Sequence, residues 1–467
     1  MNVMLAEGLH KQTISNIVNQ ISSLGLNCIR LTWATFMFTR YFDQTISQSL
    51  DDLKLEGIKL GIIKYNPNFL SMTHPQAYAF VVNQLSGANI MVVADNHVSE
   101  PKWCCEDDDG NGFFGDSSFD LDEWVKGHTL AAQFFKNLPN IVAISLRNEL
   151  RGPKQKGSVW YRNMRRAASA IHQENPNVLM IFSGLDYAAD LTFLKKIPLN
   201  VEPNNKVVFE AHNYPYWVTN WDKDPTNSVC ASIKSGLDEK VGFVLGNDGG
   251  GAPLFITEFG MDLIARNDSD ERWLTCLLTF LAERDIDWSW WGLHGSYYLR
   301  EGNVDVAEPF GLYNFYWNGT SYPHFTEISA AAKHDSSGLC VKSDQNNQIE
   351  LSDCKKASGW NQEGDKIKLN GNQCLKSLGN EGGSVVVSTD CSSSSDSSST
   401  SWKFISDSGL HLLVVDNNNN NNNGLCLDKD SNSSKLVTKK CICVGDDHGC
   451  LDNPQSQWFQ LVPTNNV

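Results

Sequence analysis

The sequence has no long hydrophobic run and little positive charge, and these two shortages exclude whole classes of protein. No stretch approaches the roughly 20 apolar residues that a membrane-spanning helix needs. The 467 residues include 38 Lys and Arg against 54 Asp and Glu, which gives a formal net charge of −16. So acidic a chain has no general basic surface for a phosphate backbone. We therefore predict neither a membrane span nor a nucleic-acid partner.

The beginning of the chain also lacks the features of a secretory leader. A leader starts with positive charge and continues with an apolar segment, whereas residues 1–18 predict a loop followed by an amphipathic helix. The cysteines favour secretion, because 13 are present and eight of them follow residue 335, as in disulfide-bonded proteins of oxidising compartments. Sequons at Asn267, Asn318 and Asn432 agree. We expect a secreted or cell-wall protein whose N-terminal segment has been truncated.

Short apolar runs alternate with helical patterns between residues 10 and 330, which is typical of repeated βα units around a parallel sheet. Helical periodicity predicts helices at 11–24, 74–86, 119–137, 158–173 and 269–284. Strands buried on both faces are apolar until a polar residue ends them. Such runs predict strands at 27–33, 89–97, 140–149, 178–184, 206–214, 252–260 and 285–292.

A closed (β/α)8 barrel needs one strand more than these seven. We expect an α/β fold of the TIM-barrel type over residues 1–330, with its first strand missing. The strands at 27–33 and 285–292 would then lack their shared neighbour and leave two open edges.

The composition changes after Tyr322, where helical periodicity stops and Ser, Asn, Gly and Cys dominate. Three related units follow, each with two cysteines and a closing tryptophan. One unit cannot bury its Leu and Trp alone, so the repetition predicts an all-β domain over 335–463 in which three units pack together. The three sets are Cys340, Cys354 and Trp360; Cys374, Cys391 and Trp402; and Cys426, Cys441 and Trp458.

Two glutamates end predicted strands, Glu149 in SLRNEL (145–150) and Glu258 in ITEFG (256–260). The carboxyl ends of parallel barrel strands share one rim, so both side chains belong to the same face. Glycoside hydrolysis needs such a pair, since one acid protonates the leaving oxygen and one carboxylate attacks or activates water. A lone strand-terminal glutamate can equally cap a helix or form an ion pair. The two together predict a glycosidase site.

These segments belong to a wider set of motifs: LRNELRGP, DNHVSEPKWCC, DGNGFFGD, TEFGMD and GSYYLR. In this order, over roughly residues 5–325, they resemble glycoside hydrolase family 5, the cellulase-like retaining enzymes, and especially its plant members. The resemblance implies that Glu149 is the acid/base, that Glu258 is the nucleophile and that Asn148 holds the sugar 2-hydroxyl. It also implies that the scissile bond is surrounded by Arg30, His97, His212, Tyr214 and Trp291.

The residue types suit the implied roles. A guanidinium at Arg30 would keep Glu258 ionised as a nucleophile. Glu149 must stay protonated until needed, which requires an apolar setting or a like charge nearby. Tyr214 can donate to the nucleophile, and His212 can orient the acid/base or bind sugar.

An aromatic platform is expected in the segment WSWW. Trp291 offers a flat face for a pyranose ring, with its neighbour Trp290 as the competing choice, since strand aromatics often belong to the core.

The three C-terminal units resemble a ricin-type β-trefoil lectin over 335–463. The resemblance implies a sugar-binding Asp shortly after the first cysteine of a unit, and the third alone has one, Asp428. Lys342 and Lys376 stand there in the first and second units. It also implies the disulfides Cys340–Cys354, Cys374–Cys391 and Cys426–Cys441, which leaves Cys443 and Cys450 for a small loop.

The adjacent Cys104 and Cys105 lie in a loop after His97. We expect adjacency to be unsuited to a bond between the two, so that each pairs elsewhere, with Cys230 and Cys276 as available partners. A zinc site at His97 and this pair would lack a coherent four-ligand spacing, so we predict no metal and no cofactor.

The leading prediction is therefore a retaining β-glycosidase that acts on a β-linked plant polysaccharide such as a glucan or mannan. Water as acceptor gives hydrolysis, and a sugar acceptor would give transglycosylation. The alternative is a carbohydrate-binding protein with a truncated, catalytically impaired barrel. An oligosaccharide or polysaccharide is the expected partner in both cases.

Overall fold

A computed structural model describes residues 7–217, 225–246, 251–322, 339–353, 358–392, 398–415, 424–444 and 450–461. The chain forms two compact units. The first consists of residues 1–214, 238–265 and 287–323, and the second consists of 215–237, 266–286 and 324–467. None of the helices in the described ranges combines the length and the apolar character needed to cross a membrane.

The first unit is built around seven parallel strands, which neighbour one another in the sheet in chain order. All seven strands predicted from the apolar runs are present, and the TIM-barrel-like α/β fold is confirmed. The strands are β1 (Cys28–Ala34), β2 (Met91–Val98), β3 (Ile141–Ser145), β4 (Leu179–Ser183), β5 (Val207–Asn213), β6 (Leu254–Phe259) and β7 (Asp287–Trp290).

Burial differs between the middle and the edges of this sheet. Side chains of the middle strands are mostly buried, and Val93, Ala143, Ile181 and Val208 form an apolar cluster among them. β1 and β7 are the two edges, and most of their side chains are only half-buried. Within the described residues no strand joins β7 to β1, so the sheet has seven strands where a closed barrel has eight.

Helices connect the strands, as the alternating pattern predicts. All five predicted helices are present, and the described residues contain four others that were not predicted. Three of these, α2 to α4, are only five to ten residues long, which is too short for a clear apolar period. The helices are α1 (Ile14–Ser23), α2 (Thr35–Thr39), α3 (Ile46–Asp52), α4 (Glu56–Tyr65), α5 (His74–Ser86), α6 (Leu121–Phe135), α7 (Gly157–Glu174), α8 (Thr226–Lys240) and α9 (Asp268–Glu283).

The remaining strands are all antiparallel. An unpredicted hairpin of β8 (Ser296–Arg300) and β9 (Asn303–Ala307) follows β7. The C-terminal strands confirm the all-β prediction and form sheets of two, four and four strands. They are β10 (Cys340–Ser343), β11 (Ile349–Ser352), β12 (Trp360–Glu363), β13 (Lys366–Leu369), β14 (Gln373–Ser377), β15 (Val385–Ser388), β16 (Trp402–Ile405), β17 (His411–Val414), β18 (Leu425–Lys429) and β19 (Leu436–Lys440).

The three C-terminal repeats have matching local structure. Each of the hairpins β10–β11, β14–β15 and β18–β19 carries the first cysteine of a repeat, and bridges connect the three hairpins to one another. The indole N–H of Trp360 donates to the carbonyl of Val341 at 3.0 Å, and that of Trp402 donates to Leu375 at 2.8 Å. In both repeats the acceptor is the residue after the first cysteine.

In the third repeat the closing tryptophan has a different acceptor. The indole of Trp458 donates instead to Asn227 Oδ1 on α8, at 3.1 Å. The same oxygen accepts from the Ser408 hydroxyl at 2.7 Å, and the Asn227 amide donates to the carbonyl of Cys443. Gln455 also donates to Thr275 on α9 at 3.0 Å. Helices α8 and α9 therefore supply polar partners within the second unit.

Most disulfide predictions are confirmed. The bonds Cys374–Cys391, Cys426–Cys441 and Cys443–Cys450 are present. Cys340 is disulfide-bonded, but Cys354 lies outside the described residues, so the pair Cys340–Cys354 stays a prediction.

The expectation for the adjacent cysteines was wrong. Cys104 and Cys105 bond to each other, and their Cα atoms are 3.1 Å apart. The partners expected for them, Cys230 and Cys276, form their own bond between α8 and α9.

Replacing Asn227 by Ala should destabilise the second unit. The change leaves the Trp458 indole, the Ser408 hydroxyl and the Cys443 carbonyl without this partner, and each such buried group costs about 1–3 kcal/mol. We expect the free energy of unfolding, measured by urea denaturation, to fall by about 3 kcal/mol. The matched control is Ser228→Ala, which removes only a bond to the exposed side chain of Asp407. Equal stability of the two variants would contradict this assignment.

Candidate active site

Glu149 and Glu258 come together at the carboxyl ends of β3 and β6. A carboxylate oxygen of each lies within 4.8 Å of the other and of a ring nitrogen of His212. Both side chains are largely buried, with 9% and 4% of their surfaces exposed. This separation is close to the roughly 5 Å at which one carboxyl can attack a sugar carbon while the other serves the leaving oxygen.

Glu258 is held by two donors. Arg30 Nη1 donates to Oε1 at 2.6 Å, and the Tyr214 hydroxyl donates to Oε2 at 3.0 Å. Arg30 Nη2 also donates to Asn148 Oδ1 at 3.0 Å. The guanidinium therefore stabilises the negative charge of Glu258 and orients the neighbouring amide at the same time.

Two acidic residues that sequence reasoning missed lie on the other side of Arg30. Asp95 Oδ1 is 3.0 Å and Glu210 Oε2 is 3.7 Å from Arg30 Nη2, and both acids are fully buried. Each precedes a predicted site histidine by two residues, His97 on β2 and His212 on β5. Because side chains two apart in a strand share a face, this spacing was the available signal.

The pKa values of these two buried acids are shifted in opposite directions. Burial alone would raise the pKa of Asp95, but the charge of Arg30 and the hydrogen bond from His97 lower it below its ordinary value. Burial raises the pKa of Glu210 by more than Arg30 lowers it, while Ser145 and Thr257 donate hydroxyl hydrogen bonds to its oxygens. Asp95 is therefore the ionised partner of Arg30, and Glu210 holds a proton more readily.

The surroundings of Glu149 favour the protonated form of its carboxyl. Burial raises the pKa of this carboxyl above its ordinary value. Its backbone adopts a φ of 34°, a region that residues other than glycine rarely use and that recurs at functional positions. The carboxyl oxygen Oε1 is 2.9 Å from His212 Nδ1.

His212 is a neutral neighbour of the acid. Burial lowers the pKa of this imidazole below its ordinary value, although Glu258 opposes the shift. Its Nε2 has no hydrogen-bond partner among the described residues. A buried bare nitrogen is more readily tolerated than a buried N–H, so Nδ1 carries the hydrogen and donates to Glu149 Oε1. Oε2 of Glu149 takes no part in this hydrogen bond.

One wall of the site, beside the two glutamates, is formed by Asn148, His97 and Trp291. His97 Nδ1 donates to Asp95 Oδ2 at 2.7 Å, and its ring stacks on that of Trp291 at 5.5 Å with an interplanar angle of 3°. The competing Trp290 packs edge-on against Phe259 and donates to the carbonyl of Phe310 at 2.9 Å. Trp291 is therefore the tryptophan that adjoins the site.

The vicinal disulfide borders the same wall. A ring nitrogen of His97 and the sulfurs of Cys104 and Cys105 lie within 4.8 Å of one another. The two sulfurs are bonded to each other and offer no thiolate to a metal ion.

Asp428, the predicted lectin residue, lies in the second unit. Its Oδ2 accepts from Gln457 at 2.8 Å, and Lys439 Nζ is 3.8 Å from Oδ1. Only 2% of the residue is exposed, so the carboxylate faces the interior of its repeat.

Comparison with known proteins identifies the family. Residues 5–296 match the model of the cellulase family, glycosyl hydrolase family 5. The chain is 39% identical to a glycosyl hydrolase 5 family protein from Chamaecyparis obtusa, across 99% of this chain and 87% of that protein. It is also 21% identical to an endoglucanase from Paenibacillus polymyxa, across 62% of this chain and 71% of that protein.

Solved structures share the fold. The catalytic domain of the major endoglucanase from Xanthomonas campestris superimposes with a TM-score of 0.55 at 18% identity, over 69% of this chain and 89% of that one. An endocellulase from Pyrococcus horikoshii in complex with cellotetraose superimposes with a TM-score of 0.56 at 18% identity, over 70% and 88%. At such low identity these likenesses concern the fold alone.

Proposed function

The chain belongs to glycosyl hydrolase family 5, and on that premise we propose that it is a retaining β-glycosidase in which Glu258 is the nucleophile and Glu149 the acid/base. The observation that carries the proposal is the approach of the two carboxyls to within 4.8 Å. An inverting enzyme needs a separation of about 6.5–9.5 Å to admit a water molecule between them. The donors to Glu258 and the burial of Glu149 support the division of roles.

In the first step, a Glu258 oxygen attacks the anomeric carbon while the bond to the leaving oxygen breaks. Glu149 gives its proton to that oxygen, and a glycosyl ester forms on Glu258. In the second step, Glu149, now a carboxylate, takes a proton from water as the water oxygen attacks the same carbon. Glu258 is released as a carboxylate, Glu149 is protonated again, and the anomeric configuration is retained.

We propose a β-linked plant polysaccharide of the glucan or mannan type as the substrate. Relatives named endoglucanase, and a structural neighbour bound to cellotetraose, favour the glucan. A sugar acceptor in place of water would lead to transglycosylation. The disulfides support a secreted or cell-wall location for this activity.

For the C-terminal repeats we propose a ricin-type β-trefoil that binds carbohydrate and keeps the enzyme near its polymer. The matching hairpins and Trp hydrogen bonds support that fold. The third repeat supplies the site, because Asp428 Oδ1 has no hydrogen-bond partner among the described residues and can accept from a sugar hydroxyl. Its burial means that neighbouring side chains must move to admit the sugar.

Glu258→Gln should lower turnover of an aryl β-cellobioside by on the order of 10⁴-fold or more, because the amide cannot form the glycosyl ester. Substrate binding should persist. An activated 2-fluoro sugar should label Glu258 in the unmodified protein, as mass spectrometry of peptides would detect. The control is Glu56→Gln at the exposed start of α4. Full activity of Glu258→Gln, or a label elsewhere, would refute the assignment.

The pH profile should report the Glu149 proton. Because its pKa is raised above 4.5, the acid form persists to higher pH, and kcat/KM should fall as pH rises through that pKa. In Glu149→Gln this alkaline limb should vanish and the rate should drop by roughly 10²–10⁴-fold. A dinitrophenyl glycoside, whose leaving group needs no proton, should show neither effect on kcat/KM. An unchanged limb in Glu149→Gln would assign the proton to another group.

Binding by the third repeat is testable in the full chain with Glu258→Gln as the background, since that variant does not digest the polymer. Adding Asp428→Asn should weaken retention on insoluble β-glucan, because the amide replaces an accepting carboxylate. Asp430→Asn, at an exposed turn after the same strand, should leave retention unchanged. Equal retention of both variants would remove Asp428 from sugar binding.

A further inference from the structure

We propose that the Cys104–Cys105 disulfide is a positioning element of the active site, which holds the Asn148 amide in the orientation that binds the glycone 2-hydroxyl. This inference rests on the proposed function, because it assigns the 2-hydroxyl contact to Asn148. It gives a role in the reaction to two residues that the two-carboxylate mechanism does not use.

The disulfide lies against the reacting centre. Cys105 Sγ is 3.8 Å from Asn148 Nδ2, and Asn148 is the residue directly before Glu149. Both sulfurs lie within 4.8 Å of a ring nitrogen of His97. Cys104 is buried and Cys105 is half-buried. The bond therefore forms part of the wall around the amide.

The polar atoms of Asn148 are unequally satisfied. Its Oδ1 accepts a short, charged hydrogen bond from Arg30 at 3.0 Å. Its Nδ2 has only long contacts, to His97 Nε2 at 3.5 Å and to Cys105 Sγ at 3.8 Å. A disulfide sulfur is a weak acceptor, and the contact to His97 Nε2 is long. These long contacts leave the N–H bonds available for a stronger acceptor, a sugar hydroxyl.

A disulfide suits this task better than two thiols. Each thiol would rotate about its own side chain, and its sulfur would carry an S–H donor beside the donating Asn148 amide. The bond removes that freedom and leaves only acceptor sulfurs.

The loop is also anchored on both sides of the bond. Trp103 packs edge-on against Tyr297 at 5.2 Å with the Arg300 guanidinium 4.0 Å from its ring, and Arg151 Nε donates to the Glu106 carbonyl at 2.9 Å. The position of Cys105 Sγ is therefore defined from both flanks.

Loss of the disulfide should weaken the stabilisation of the transition state. Hydrogen bonds to the 2-hydroxyl strengthen as the sugar becomes oxocarbenium-like, so a misoriented amide lowers kcat more than it raises KM. Displacement of a positioning group by about 1 Å can cost 10²-fold in rate. A wall residue with a purely structural role would affect all substrates alike.

The test uses the full chain with Cys104→Ala and Cys105→Ala together, and two substrates: an aryl β-cellobioside and the same compound lacking the 2-hydroxyl on the sugar that occupies the reacting position. We expect kcat/KM for the first to fall by roughly 10-fold to 100-fold. The 2-deoxy compound, which cannot use the amide, should be cleaved at the rate of the unmodified protein. Equal losses on both substrates, or no loss on either, would overturn the proposal.

Three variants complete the design. Asn148→Ala should show the same dependence on the 2-hydroxyl, which places the effect at the amide. Cys443→Ala with Cys450→Ala removes a disulfide of the second unit and should change neither rate. Cys104→Ser with Cys105→Ser provides a second version if the alanine pair fails to fold, and should again spare the 2-deoxy compound. If the unmodified protein cleaves no aryl glycoside, the proposed function fails; if it does and both substrates respond alike, only the positioning role fails.

Discussion

The ion pair between Arg30 and Glu258 is the interaction on which the first unit's site depends. A guanidinium buried to this degree needs compensating charge, since moving an unpaired ion out of water costs several kcal/mol or more. Three carboxyls surround it, those of Glu258, Asp95 and Glu210. One positive charge cannot hold all three ionised in so dry a place. The pKa of Asp95 is lowered and that of Glu210 is raised, so the cluster carries less negative charge than three ionised carboxyls would.

That arrangement gives the two glutamates at one rim different surroundings. Glu258 receives donors from Arg30 and Tyr214, whereas Glu149 has a neutral imidazole beside it and burial that favours its protonated form. The imidazole stays neutral because it is buried. Strand β5 contributes to both environments, because Glu210 lies in the charge cluster and His212, two residues later, lies beside Glu149.

The sequence predicted the strands well because a strand buried on both faces is recognisable as a continuous apolar run, and β2 to β6 are such strands. The same feature concealed Asp95 and Glu210, since a lone acid inside an apolar run gives no sign of its partners. Partners such as Arg30 come from distant positions, and only the folded sheet brings them together. The short helices α2 to α4 have too few turns to show the apolar periodicity by which a helix is predicted. The bond between Cys104 and Cys105 was not predicted, because the adjacency of the two residues argued against it.

The C-terminal repeats illustrate a different limit of sequence reasoning. Composition places a boundary near residue 330, yet α8 and α9, which precede it, complete the hydrogen bonding of the third repeat. In the first two repeats the closing tryptophan finds a carbonyl within its own repeat, but Trp458 uses Asn227 instead. A segment cut at residue 335 would lose Asn227, which is the partner of that indole and of the Cys443 carbonyl. The unit of folding in this part of the chain is therefore set by satisfied polar groups rather than by the change in composition.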